Sequence, residues 1–97
     1  MTPVKRLELI VPEHLLRDAL EVIDRHHPSG YSVMRGLSGR GHRGVQSADG
    51  LVGEFSNAWV LVACEPEAAS AIVAGLRPLL SRYGGLCLVS DAASVEH

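Results

Sequence analysis

Glycines at positions 36, 39, 41, 44, 50 and 53 enclose Arg40, His42 and Arg43, a combination suited to holding an anion. Glycine turns its N–H groups through positive φ without a Cβ penalty, and a guanidinium can grip two oxygens of a phosphate or carboxylate at once. A connection of this length, well beyond about a dozen residues, is usually functional or disordered. Two readings of the stretch from Gly36 to Gly53 therefore stand side by side, a ligand-gripping loop and a plain flexible linker. Arg43 is the first candidate for a phosphate ligand. Arg40 sits between Gly39 and Gly41, whose amides can form a small anion nest. His42 would make binding sensitive to pH near its ordinary pKa of about 6.5. Each of the three has the alternative of a solvated loop side chain.

The rest of the chain offers little other chemistry. There is no nucleophile elbow, no Gly-Lys-Ser/Thr phosphate loop and no matched carboxylate pair, and Asp49, Glu54 and Asp91 stand apart. An enzyme is not expected. The histidines at 14, 26, 27, 42 and 97 lack the spacing that puts two ligands on one helix face, so no metal site is expected. Cys64 and Cys87 each lie in an apolar run and read as small buried residues, a disulfide being the alternative. Glu96 and His97 are set aside.

Size and charge bound the answer further. Residues 1–97 make one domain, with 46% hydrophobic and 21% charged residues and a net charge of -2. That balance gives no reason to approach nucleic acid or an anionic membrane. No apolar run has the length of a membrane span and Met1 to Arg6 lack a signal-peptide layout, so the expected location is cytoplasmic.

The elements that must position the loop follow from periodicity. Residues 5–11 read as a strand with apolar groups on both faces except at Glu8. Pro12 opens a helix whose stripe is Leu15, Leu16, Ala19, Leu20 and Ile23, with Glu13 on its wet side, and Pro28 to Gly30 stop it. Tyr31 to Leu37 feeds the glycine loop, and Asn57 to Cys64 returns from it. A second helix begins at Pro66 with the stripe Ala69, Ile72, Val73, Leu76, Leu80 and Tyr83; Pro78 is expected to kink or split it, and Gly84-Gly85 to form a left-handed cap. Leu86 to Val89 is a short fourth strand. Tyr31 and Trp59 are expected to pack rather than to stack on a base.

The order β-α-β-β-α-β is the α+β ferredoxin-like arrangement, a four-stranded antiparallel sheet with two helices on one face. Trp59 to Cys64 and Leu86 to Val89 are apolar without alternation, so both faces of the sheet call for cover. Two helices cover one face. The other predicts an obligate homo-oligomer, which a stable monomer at micromolar concentration would refute.

Three segments carry a family resemblance. Gly30-Tyr31-Ser32-Val33-Met34 is similar to the Gly-Tyr-Thr-Val-Met segment of the cyanobacterial PII-like regulators of bicarbonate uptake, the SbtB type. Gly39-Arg40-Gly41-His42-Arg43 resembles their Gly-Lys-Gly-Ser-Arg element, and Tyr83-Gly84-Gly85 their Tyr-Ala-Gly turn. With the helices between, the likeness spans nearly the whole chain and marks it as similar to PII-type signalling proteins.

That resemblance implies a homotrimer with its sheets facing inward, a T-loop over residues 36–56, and adenine nucleotide in each cleft between subunits. Since the chain stops soon after its fourth strand, it fits the short form that lacks a C-terminal cysteine loop. This form is similar to the carboxysome-associated PII-like (CPII) proteins, which respond to AMP or ADP together with bicarbonate. Carried over, Gly41, His42, Arg43, Gln46, Gly84, Gly85 and Leu86 would meet the nucleotide, and Gly39, Arg40 and Gly41 the bicarbonate. For Gly84 and Gly85 a helix stop, and for Leu86 a core role, are competing readings. His42 stands where the SbtB type has serine and Gln46 where it has a second arginine, which removes one fixed charge and leaves the preference among AMP, ADP, ATP and cyclic AMP open. Compared with classical nitrogen-signalling PII the glycine-arginine element is shorter and the loop has no tyrosine, so control by uridylylation or 2-oxoglutarate is not expected. The implied partner is a bicarbonate transporter or a carboxysome-related protein, and the protein would report inorganic-carbon and energy status to it. A metal-binding trimer of the CutA type and a small ferredoxin-like enzyme are the alternatives.

Overall fold

The computed structural model describes residues 1–38 and 56–97, together with the backbone pairing of residues 40–41 with 44–45. Strand β1 (Thr2–Pro12) leads through a single 3-10 turn (Glu13–Leu15) into helix α1 (Leu16–Asp24). Strand β2 (Gly30–Leu37) precedes two short strands, β3 (Arg40–Gly41) and β4 (Gly44–Val45), which pair with each other. Strand β5 (Asn57–Cys64), helix α2 (Pro66–Tyr83) and strand β6 (Leu86–Ser94) complete the chain.

The main sheet is antiparallel in the order β2-β5-β1-β6, the ferredoxin-like topology expected from the element order. Alternation builds the core. Leu7, Leu9 and Val11 of β1 share a face with Ala58, Val60, Val62 and Cys64 of β5, and all seven are buried. Over that face lie Leu16, Ala19, Val22 and Ile23 of α1 and Ala69, Ile72 and Leu76 of α2. The helices approach closely at Gly75, where a Cβ would stand 2.6 Å from Val22 Cγ1.

Several elements differ from the sequence reading. The first and last strands are longer, because Thr2 to Val4 pair with Ser94 to Ala92, a stretch whose small and polar residues carry no apolar signal. Prolines 3 and 12 sit where β1 has one neighbour only, β6 for Pro3 and β5 for Pro12, the edge-like positions to which proline is confined in sheets. Pro12 ends the strand with extended backbone (φ -55°, ψ 141°) rather than opening the helix. Val22 takes a core place, while Leu20 is only half-buried. Helix α2 runs unsplit through Pro78. A proline inside a helix costs about 3 kcal/mol, and here buried Ile72 and Leu76 before it and half-buried Leu79 and Leu80 after it hold both halves to the core. Gly84 has positive φ (87°) but extended ψ (175°), so the cap is not the left-handed helical form. Both cysteines are free thiols, Cys64 buried and Cys87 half-buried.

Candidate functional site at the loop end of the sheet

The register of the strands decides which segments meet. Leu37, the last residue of β2, pairs with Asn57, the first of β5, and Asn57 pairs with Pro12 at the end of β1. On the other side, Ile10 pairs with Leu86, the first residue of β6. Both roots of the glycine-rich segment, the 3-10 turn after β1 and the Gly84-Gly85-Leu86 turn therefore gather at one end of the sheet.

Glu13 ties the roots together. Its Oε2 accepts the Gly36 N–H (2.7 Å) and the Ser56 hydroxyl (2.8 Å), and its own N–H donates to the Ser56 carbonyl (3.0 Å). The Ser56 hydroxyl first, then the Gly36 amide, hold the Glu13 carboxyl below its ordinary range, against a smaller desolvation effect, with the Arg35 charge the least of the causes. Next along the turn, the His14 ring meets the edge of Tyr83 at 6.2 Å, and the Arg82 guanidinium lies 5.2 Å from the centre of the same ring. The turn thus touches the loop roots through one residue and the end of α2 through the next.

At the glycine pair, geometry limits the choice of residue. Gly84 is buried, and its N–H closes the helix on the Leu80 carbonyl (2.9 Å). Gly85 (φ 129°) lies so close to β1 that a Cβ would stand 2.6 Å from the Ile10 carbonyl oxygen. Leu86 is exposed, not core. Of the other expected ligand residues, Arg40 and Gly41 are described only through their ladder with Val45 and Gly44, so the long connection has a short ladder of its own. Gly39, His42, Arg43 and Gln46 lie outside the described residues.

Glu13 and Ser56 were missed by the sequence reading. An acidic residue in the first turn of a helix satisfies the wet-face pattern as well as any other, and only the tertiary pairing brings Ser56 to it. A separate open groove of about 320 Å³ between α2 and β6 is lined by Lys5, Ser70, Val73, Arg77 and Val89. Lys5 is already paired there with Asp91 at 2.5 Å.

The face of the sheet away from the helices bears Met34, Trp59, Leu61, Ile10, Leu86 and Leu88, with Met34 and Leu88 each about half exposed. Its polar members are linked: Trp59 Nε1 donates to Glu8 (3.3 Å), Arg6 Nε lies 3.8 Å from Glu8, and Arg6 Nε also donates to Ser90 Oγ (3.1 Å). Among the described residues no helix is long and apolar enough to cross a membrane.

Comparison with known proteins agrees with this architecture. A structure of CPII, a nitrogen regulatory PII-like protein from Thiomonas intermedia K12, bound to ADP, AMP and bicarbonate, matches with a TM-score of 0.83 at 24% identity, over 95% of this chain and 88% of that one. The same protein bound to ADP and bicarbonate matches with a TM-score of 0.81 at 25% identity, over the same shares. A protein of Thermus thermophilus described as PII-like and signalling matches with a TM-score of 0.77 at 22% identity, over 97% of this chain and 91% of that one. No curated protein matches the chain. The family model described as nitrogen regulatory protein P-II matches residues 4–97. With the match covering nearly the whole length and the fold in agreement, the chain belongs to the P-II family.

Proposed function

We propose that the protein is a PII-like regulator that binds AMP or ADP together with bicarbonate at the loop end of its sheet and signals occupancy to a partner through residues 36–56. The observation that carries this reading is the gathering of both loop roots and the Gly84-Gly85-Leu86 turn at one sheet end. The Thiomonas CPII structures, with ADP, AMP and bicarbonate bound, support it.

In this reading Gly41, His42, Arg43 and Gln46 meet the phosphates, Arg40 and the amides of Gly39 and Gly41 meet bicarbonate, Gly84 and Gly85 allow the backbone to approach the nucleotide closely, and Leu86 packs on the adenine. The exposed apolar face of the sheet supports a homotrimer with the sheets inward and the ligand clefts between subunits. Two anions side by side repel each other, so the loop cations and amides must offset that repulsion, and this couples the two ligands. Ordering a glycine-rich segment on its anions gives a state that a partner can distinguish. A bicarbonate transporter or a carboxysome-related protein in the cytoplasm is the partner this reading favours, with inorganic carbon and energy status as the message.

Calorimetric titration with AMP, ADP, ATP and cyclic AMP, each with and without bicarbonate, tests it, repeated on Arg43→Ala. The expected result is one nucleotide per subunit, weakened by the substitution and altered by bicarbonate. Absence of binding under every condition overturns the nucleotide reading, and equal bicarbonate affinity with and without nucleotide overturns the coupling.

A further inference from the structure

Between Met34 and Leu37 the pairing of β2 with β5 slips by one residue: Met34 faces Trp59, but Leu37 faces Asn57, so Arg35 and Gly36 together oppose Ala58. Two residues opposing one make a β-bulge, and Gly36, the second of the two, has a positive φ (77°). Nothing lies within 4 Å of a Cβ built on Gly36, so backbone conformation rather than space calls for glycine. A bulge leaves a backbone group without a ladder partner and re-aims the strand that carries it. Here the Gly36 N–H is taken up by Glu13 from another element.

The same carboxylate oxygen holds the Ser56 hydroxyl, and the Glu13 backbone N–H holds the Ser56 carbonyl. Side chain and main chain of one residue thus fix the two roots of the glycine-rich segment relative to each other and to the end of β1. We infer that Glu13 is a positioning residue: by stapling the Gly36 bulge to Ser56, it sets the direction in which both loop roots leave the sheet, and through that the ligand geometry of the loop.

Its consequence for binding rests on the nucleotide reading above, whereas its consequence for the bulge does not. Two measurements on the full-length protein separate them. The first is amide NMR of Gly36 in the ligand-free protein, wild type against Glu13→Ala and Glu13→Gln. The wild-type amide is expected to be shifted downfield and protected from exchange, with protection falling about tenfold in Glu13→Ala, the loss of one charge-assisted bond, and less in Glu13→Gln, which keeps an acceptor oxygen. An unprotected wild-type amide, or one unchanged in Glu13→Ala, overturns the staple.

The second is ADP affinity. Glu13→Ala is expected to weaken ADP about tenfold without changing the circular dichroism spectrum, with partial rescue in Glu13→Gln. Arg43→Ala is expected to weaken ADP while leaving the Gly36 resonance in place. A Glu13→Ala protein that loses Gly36 protection yet binds ADP as wild type does overturns the positioning role. If wild type binds no nucleotide, the nucleotide reading and the ligand consequence fall together, and the amide measurement still decides the staple. Should Glu13→Ala not fold, Ser56→Ala decides through the same pair of readouts, with a smaller shift in the same direction expected.

Discussion

Along β5 the two faces of the sheet differ in burial although they hardly differ in chemistry. Ala58, Val60, Val62 and Cys64 are buried under the helices, while Trp59, Leu61 and Ala63, alternating with them, are only half-covered. On β6 the open face carries Leu86 and Leu88 at 47% and 52% exposure. A strand that meant to face water would alternate apolar with polar. Among the described residues one apolar face is covered by the helices and the other is left open, the pattern expected of a core and an interface on opposite sides of the same strands.

If that contrast is right, equal truncations on the two faces must act differently. On the helix face Leu9→Ala opens a cavity in the packed core and is expected to cost about 3 kcal/mol of stability whatever the protein concentration. Chemical denaturation at two concentrations checks it, and a loss under about 1 kcal/mol would mean that the face is not the core described. In the turn before β6, Gly85→Ala forces a Cβ into the Ile10 carbonyl at positive φ. The expected cost is about 2 kcal/mol, read by thermal unfolding.

On the open face Leu88→Ala is expected to act on assembly, by about 1 kcal/mol for each subunit, as a shift of dissociation to higher concentration. Sedimentation over a dilution series measures this, and Trp59, the one tryptophan of the chain, reports it independently by a red shift of its emission on dissociation. A monomer at all concentrations for wild type would break the comparison outright.

These contrasts also mark what was legible in the sequence. The element order, the topology and most of the core were readable, because apolar spacing in α1, α2, β1 and β5 reflects burial directly. The apolar character of the second sheet face was readable for the same reason. The outer end of the sheet was not, since Ser90, Asp91, Ala92, Ala93 and Ser94 are held by pairing with β1 rather than by burial. Gly36 was noted as one more loop glycine, although the conformation it serves belongs to a bulge in a strand. Glu13 was hidden for a further reason: its partners are 23 and 43 residues away, and no local spacing rule reaches that far. Arg43, the residue best supported by motif, remains an expectation from sequence and resemblance.

The smallest effect is a test of the loop end by pH. The folded Glu13 carboxyl lies below its ordinary range because the Ser56 hydroxyl, the Gly36 amide and the Arg35 charge favour its ionised form. For a depressed carboxylate the folded state binds fewer protons than the unfolded one, so the contribution to stability is present above the unfolded pKa, about 4.3 for glutamate, and is lost as pH falls through the folded value. Near neutral pH the staple is therefore intact, and acidification below about pH 4.3 should weaken it progressively. Glu13→Gln has no charge to lose at this site. Its stability difference from wild type is expected to be greatest at neutral pH and to shrink on acidification below that pKa, measured by denaturation at matched ionic strength. Because Glu96 is also held low, by the Thr2 hydroxyl and the chain's amino group, the wild-type curve alone cannot isolate Glu13, but the difference between the two proteins removes that shared contribution. A difference independent of pH would assign the substitution's effect to shape, and the charge on Glu13 would then have no part in holding the Gly36 bulge.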